Sequence, residues 1–197
     1  MPTYAILGAT GSAGTACTRT LIGNPPTGLS LKIYVRSKKK LLALLPALNE
    51  DTRVVIVEGA LSDQEALATC IKGADAIFSC IASKWSEPDM DIAAVTAAHV
   101  NSCLQHIRKS GEASSYIAPV LVMLSSASVN KVLSKQPHSI FIKFVKTALA
   151  YLYDDLRQAE KLYLDVLASD PGLLKPIFLQ PGGIMQVQEL LFFRVAL

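Results

Sequence analysis

A short apolar run, Tyr4 to Leu7, opens onto three glycines at i, i+3 and i+6: Gly8, Gly11 and Gly14. A helical pattern follows at once, carrying Thr15, Ala16, Leu21 and Ile22. Strand, glycine-rich turn and helix in that order leave little choice of fold. Gly8 suits the tight turn, Gly11 a close approach to the backbone by another molecule, and Gly14 close packing of helix on strand. Such a turn presents free backbone N–H groups and the positive end of a helix, a combination that suits a pyrophosphate. Thr10, Ser12 and Ala13 fill the intervals and complete a candidate dinucleotide cradle. The spacing is G-x-x-G-x-x-G, not G-x-G-x-x-G, so its meaning comes from its place between strand and helix.

The rest of the chain alternates in the same way. Leu31–Val35, Val54–Val57, Ala74–Ile81 and Val120–Leu124 read as strands, and Ile177–Leu179 as a sixth before Pro181-Gly182-Gly183. Helical patterns fill 14–23, 37–47, 63–72, 89–110 and about 140–169. Alternation of this kind predicts right-handed crossovers and a parallel sheet. The expected fold is therefore α/β, a Rossmann-like doubly wound sheet in strand order 3-2-1-4-5. At 197 residues the chain suits one domain, 1–197, with 184–197 as a shortened substrate-covering tail. A hydrophobic content of 51% against 18% charged residues fits a sheet buried on both faces.

The same numbers exclude other classes. No apolar run approaches the ~20 residues of a membrane span, and the early glycine turn leaves no room for a signal peptide. A formal charge of +3, dispersed along the chain, does not point to nucleic acid. Cys17, Cys70, Cys80 and Cys103 are widely spaced, which reads as reduced thiols in a cytoplasmic protein. Cys80 reads as a small core residue. His99 and His106 share a helical pattern with no carboxylates to complete a metal site, and His138 has no visible partner.

The end of the second strand bears on the cofactor. An acid there would bind the ribose 2′-OH of NAD, but this chain has Arg36 and Ser37, then three lysines. A guanidinium and a hydroxyl suit the 2′-phosphate of NADP(H), with NAD(H) the poorer fit. The competing reading is a solvated basic helix start. After the third strand, Leu61 and Ser62 are placed to border the adenine, while Asp63 serves equally as the next helix cap. After the fourth, Cys80, Ile81 and Ala82 are expected over the glycine turn, where small residues let the nicotinamide half pass.

These segments, with Leu124-Ser125-Ser126-Ala127-Ser128-Val129-Asn130, Tyr151-Leu152-Tyr153-Asp154-Asp155-Leu156-Arg157-Gln158-Ala159-Glu160 and Gln180-Pro181-Gly182-Gly183, resemble the atypical short-chain dehydrogenase/reductases. The resemblance is to the NAD(P)H-binding type that includes NmrA-like proteins, and within it to the averufin-oxidase-like proteins of fungal polyketide pathways. It runs through nearly the whole chain. The resemblance implies a serine after the fifth strand, matched by Ser126, and a Tyr-x-x-x-Lys pair on the next helix. Tyr153 is the closer tyrosine, with Arg157 at the lysine position; Tyr151 is its substitute, with Asp155 four residues on. The lysine is missing, so Tyr153 reads either as the proton donor or as a tyrosine packed at the helix edge.

Two function classes follow. One is an NADP(H)-dependent oxidoreductase acting on an aromatic polyketide, or a non-redox isomerase or cyclase using the same hydroxyls. The other is a sensor that binds NADP(H) without turning it over. The enzyme is the preferred reading. Phe141, Phe144, Val145, Leu149 and Leu152 follow helical spacing and suit a packing face or a cleft wall. The apolar end, Leu190 to Leu197, either closes the cleft, docks on a second subunit or belongs to a truncated product. A homo-oligomer built through that tail, or through the helix near 140–165, is expected.

Overall fold

The structure is a computed structural model that describes residues 1–83, 86–110, 116–130 and 147–181. Six strands form one parallel sheet: β1 (Thr3–Leu7), β2 (Ser30–Val35), β3 (Val54–Glu58), β4 (Ala76–Ser79), β5 (Val120–Leu124) and β6 (Lys175–Leu179). Their order is β3-β2-β1-β4-β5-β6, the expected order with one strand added at the edge. Ile6 sits between Ile33 of β2 and Phe78 of β4. The winding reverses between β1 and β4, so a crevice opens at the carboxyl ends of those two strands, where ligands of such sheets bind.

Five described helices cover the two faces: α1 (Ser12–Gly23), α2 (Lys38–Leu44), α3 (Gln64–Ile71), α4 (Ile92–Lys109) and α5 (Ala150–Ser169). The period of two along each strand divides the core. Ile6, Leu31, Ile33 and Val35 face α1 and α2, while Ala5, Leu7, Ile77 and Leu121 face α3, α4 and α5. The central positions are wholly buried, each Leu or Ile contributing about 1.5–3 kcal/mol. Burial loosens at the edges, where Val55 and Ile177 are about half exposed. Pro176 lies in β6, an edge strand, where its missing N–H costs no ladder bond.

Some boundaries differ from expectation. The second helix ends at Leu44 and not at residue 47, because Pro46 cannot continue it and starts a separate 3-10 turn, Pro46–Asn49. The fourth helix begins at Ile92 and not at 89, since Pro88 precedes Asp89, whose φ is +60°. The fourth strand is confined to Ala76–Ser79, after a turn at Gly73 with φ +70°. Residues 140–146 of the last expected helix, His138 and the 184–197 tail lie outside the described residues. Among the described residues no helix is long and apolar enough to cross a membrane.

At the other end of the sheet, Arg108 grips both carboxylate oxygens of Asp170 and lies over the Tyr116 ring. The Tyr116 hydroxyl donates to the Leu173 carbonyl. These contacts tie α4 to the segment entering β6, away from the crevice.

Candidate functional site

The glycine turn has the geometry its spacing predicts. Gly8 has φ +86°, and a Cβ there would lie 2.9 Å from the Cys80 carbonyl oxygen and from Ile81 Cγ1. A Cβ on Gly14 would lie 2.2 Å from the Gly8 carbonyl oxygen, closer than any real contact. Both glycines are demanded by the protein itself. Gly11 is different, since its Cβ would meet only the Gly8 oxygen, at an ordinary 3.5 Å. The turn is closed by Gly11 N–H donating to the Gly8 carbonyl (3.0 Å) and by Thr15 Oγ1 donating to the Ala9 carbonyl (2.8 Å). Thr10 and Ala13 are half-buried and Ser12 is exposed.

The start of α1 has no side-chain cap and no acid in its first turn. By contrast α2 is capped by Ser37, α3 by Asp63, and the amides at the start of α4 are taken by Asp155. An uncapped helix start beside an open glycine fits an anionic group lying there. The residues present therefore fit a dinucleotide pyrophosphate.

The walls of the crevice follow from the neighbouring strands. Arg36 leaves β2 exposed, with Ser37 beside it accepting from Lys40 N–H at 3.2 Å. Leu61 and Ser62 lie in the loop after β3, Leu61 half-buried and Ser62 exposed. That loop is held from two sides. The Tyr34 hydroxyl donates to the Ala60 carbonyl at 2.6 Å, and His99 Nδ1 donates to the Leu61 carbonyl at 2.8 Å. Burial, helped by the nearby Asp63 charge, pushes the Tyr34 phenol up to about 12, so it stays a donor. A Cβ on Gly59 would strike the Tyr34 hydroxyl at 2.7 Å, so this glycine makes room for the tyrosine. Asp63 serves as the cap of α3, accepting from Ala66 N–H at 3.0 Å.

After β4, Cys80 donates its N–H to Leu7 at 2.9 Å, and Cys80-Ile81 lie against Gly8, with Ala82 exposed beyond them. Burial pushes the Cys80 thiol up to about 12, the behaviour of a packing residue and not of a nucleophile. All four cysteines are free. Among the described residues no three of His, Cys, Asp and Glu come together as a metal site.

Beyond β5, Ser126 Oγ accepts from Ser128 N–H at 3.3 Å in a tight turn. Tyr153 is half-buried against the core under α5, and Tyr151 is 48% exposed. Among the described residues no hydrogen bond joins Ser126 to either tyrosine. Arg157 lies at the surface, its guanidinium paired with Asp154. Asp155 is wholly buried and accepts from Ala93 N–H and Ala94 N–H, both at 2.9 Å. Leu152 N–H donates to Ser86 Oγ at 3.4 Å, fastening the first turn of α5 to the loop before α4. A separate groove of about 520 Å³ lies between α3 and α4, lined by Gln64, Ala68, Cys103 and Ile107, and shares no residue with the glycine turn.

Residues 8–186 match the family model described as NAD(P)H-binding. The chain belongs to the NAD(P)H-binding family. It is 38% identical over 186 residues to averufin oxidase A of Dothistroma septosporum, covering 93% of this chain and 64% of that one. It is 34% identical to oxidoreductase AgnL4 of Paecilomyces divaricatus, covering 93% of this chain and 68% of that one. The chain thus spans about two thirds of the length of these relatives. Among solved structures it is similar in fold to a wide-type short-chain dehydrogenase/reductase from Veillonella parvula in complex with NADP. That match has a TM-score of 0.70 and 18% identity, over 95% of this chain and 72% of that one.

Within this family frame, several supporting residues carry no sequence signal of their own. Tyr34 and Gly59 are a complementary pair, each unremarkable alone. His99 meets Leu61 across 38 residues of sequence, and Asp155 meets Ala93 across 62.

Proposed function

We propose that this chain is an NADP(H)-dependent oxidoreductase acting on an aromatic polyketide or a similar secondary metabolite. The observation that carries the cofactor half is the Gly11 position, where an added Cβ would meet nothing closer than 3.5 Å, beside the uncapped start of α1. Arg36 and Ser37 support NADP(H) over NAD(H), because they stand in the sequence where an acid would receive a ribose hydroxyl. The neighbouring Glu58 carboxylate at the end of β3 is engaged by Lys38 N–H at 3.2 Å. Leu61 and Ser62 border the adenine, and Cys80, Ile81 and Ala82 pass the nicotinamide half. The substrate class is suggested by the relatives' names and by the hydroxyls beyond β5.

When bound, the cofactor supplies or accepts a hydride. The protein's part is to hold the substrate oxygen and move a proton at it. Ser126 Oγ, at the carboxyl edge of the sheet, hydrogen-bonds the reacting oxygen, and the Tyr153 phenol exchanges the proton. Arg157, one helical turn after Tyr153, favours the phenolate electrostatically from the surface. Its pairing with Asp154 weakens that help, and this favours the second reading, a sensor that binds NADP(H) without turnover.

Calorimetry tests the cofactor half. Arg36→Ala should weaken NADPH binding by about 10- to 150-fold, the worth of a charge-assisted hydrogen bond of roughly 1.5–3 kcal/mol. NADH binding should be unchanged. Equal affinities of the wild type for both cofactors would refute the 2′-phosphate role of Arg36. For the chemistry, Tyr153→Phe should lower kcat on a panel of aromatic polyketides including averufin by about 10²–10⁴. Ser126→Ala should lower it too, and Tyr151→Phe should act only if Tyr151 is the donor. Tight NADPH binding with no turnover of any substrate would establish the sensor.

A further inference from the structure

The loop of Ser126, the helix of Tyr153 and the end of the last strand meet at one side chain. Gln180 Oε1 accepts from Asn130 Nδ2 at 2.7 Å, and Gln180 Nε2 donates to Glu160 Oε1 at 2.8 Å. Asn130 closes the turn that starts at Ser126, through Val129 N–H to the Ser126 carbonyl (2.9 Å) and Asn130 N–H to the Ala127 carbonyl (3.2 Å). Glu160 stands seven residues after Tyr153 on α5, two turns along the same flank. All three side chains are half-buried. The backbone adds two clamps on either side of Gln180: Ser125 N–H to the Leu179 carbonyl (2.8 Å) and Ala127 N–H to the Pro181 carbonyl (3.0 Å).

The direction of this chain of bonds is set by its charged end. An ionised carboxylate only accepts, so Gln180 must turn its NH2 to Glu160 and its carbonyl to Asn130, which must then donate. One charge on α5 thereby orients two amides and fixes the turn of Ser126 against the helix of Tyr153. We propose that Gln180, oriented by Glu160 and bonded to Asn130, is the positioning residue that sets the spacing of the Ser126 and Tyr153 hydroxyls beside the nicotinamide. The inference rests on the hydroxyl assignment above. It adds a residue that acts through the side chains it holds, Asn130 and Glu160.

A swap of polarity tests it. Gln180→Glu sets two carboxylates face to face and breaks the link to α5. Glu160→Gln combined with Gln180→Glu restores it, because the carboxylate at position 180 then accepts from both neighbours. Three quantities are read: calorimetric affinity for NADPH, the emission of the bound nicotinamide, and turnover of the polyketide panel. Q180E should hold its NADPH affinity within about twofold, since the glycine turn and Arg36 are untouched, yet shift the nicotinamide emission. It should also lower kcat by up to about a hundredfold, the cost of misplacing a reacting group by about 1 Å. The E160Q/Q180E double variant should return both to near wild type. If Q180E alone fails to fold, folding and wild-type emission of the double variant support the same conclusion. Unchanged emission in Q180E, or a double variant that folds without recovering it, overturns the proposal, as does failure of both to fold. A wild type that binds NADPH but turns nothing over removes the hydroxyl reading, and the emission series still decides whether Gln180 sets the nicotinamide surroundings.

Discussion

Gly14→Ala should disrupt the first turn, whereas Gly11→Val should leave the fold standing and weaken cofactor binding more than tenfold. The two glycines lie three residues apart in one loop, and a sequence comparison would treat them alike. Their surroundings differ. The new Cβ at position 14 would lie 2.2 Å from the Gly8 carbonyl oxygen, 2.8 Å from its carbon and 2.9 Å from Ala9 Cα. All three atoms are backbone, and Gly8 is itself pressed against Cys80. Replacing helical glycine by alanine gains up to about 1 kcal/mol of propensity. Overpacking costs about 1–3 kcal/mol where side chains can yield, and more where only backbone can. The clash wins, and the melting temperature should fall with NADPH affinity following it.

At position 11 the added atom meets nothing closer than 3.5 Å, and the backbone there is extended, with φ −81°. A branched side chain is compatible with that conformation. Its methyl groups project where a pyrophosphate would approach the α1 amides. Gly11→Val should therefore melt within a few degrees of wild type, with NADPH affinity reduced more than tenfold, a loss above about 1.4 kcal/mol. Thermal melting and calorimetry on both variants decide the matter. A Gly11→Val chain that binds NADPH normally would move the dinucleotide site away from this turn.

The contrast also marks how far the sequence could be read. Strand order and the roles of Gly8 and Gly14 were legible because they rest on local pattern: an apolar run of fixed length, a glycine every third residue and a helical period. The helix boundary at Pro46 is equally local, yet apolar periodicity alone runs past it, because the pattern of side chains does not register a residue that cannot donate an N–H. Arg157 stands three residues after Asp154, a spacing at which opposite charges meet on a helix, and that pairing was readable beside its match to the lysine position. What pattern could not supply is the partner of a polar side chain across the fold. Gln180 reads as the edge of a Gln-Pro-Gly-Gly turn until Asn130, 50 residues earlier, is seen against it. Tyr34 reads as a buried strand residue until its hydroxyl is traced to the loop carrying Leu61.

Asp155→Ala should be the most destabilising single polar substitution among the described residues, lowering stability by about 3–5 kcal/mol. The carboxylate is wholly buried, a placement that is costly unless hydrogen bonds and a local positive potential compensate. Both are supplied by the start of α4, an 18-residue helix whose Ala93 and Ala94 N–H groups donate to its two oxygens at 2.9 Å each. Removing the carboxylate strands two buried donors at about 1–3 kcal/mol apiece, and these two bonds are the cap of α4. Total stability of a domain this size is about 5–15 kcal/mol, so the loss is a large share of it. At 3 kcal/mol the melting temperature should fall by about 6–12 °C. Asp155→Asn keeps the shape and one accepting oxygen but turns an NH2 toward a backbone N–H, so it should fall between wild type and alanine. Asp155→Glu should not rescue, because an extra methylene has no room in a fully packed site. The effect reaches function through geometry. Asp155 lies two residues after Tyr153 and holds the start of α4, so loosening this clamp frees the tyrosine helix from α4. Turnover in the alanine variant should therefore fall at temperatures where the chain is still folded. An Asp155→Ala protein that melts within 2 °C of wild type would mean that water caps α4 as well as the carboxylate does.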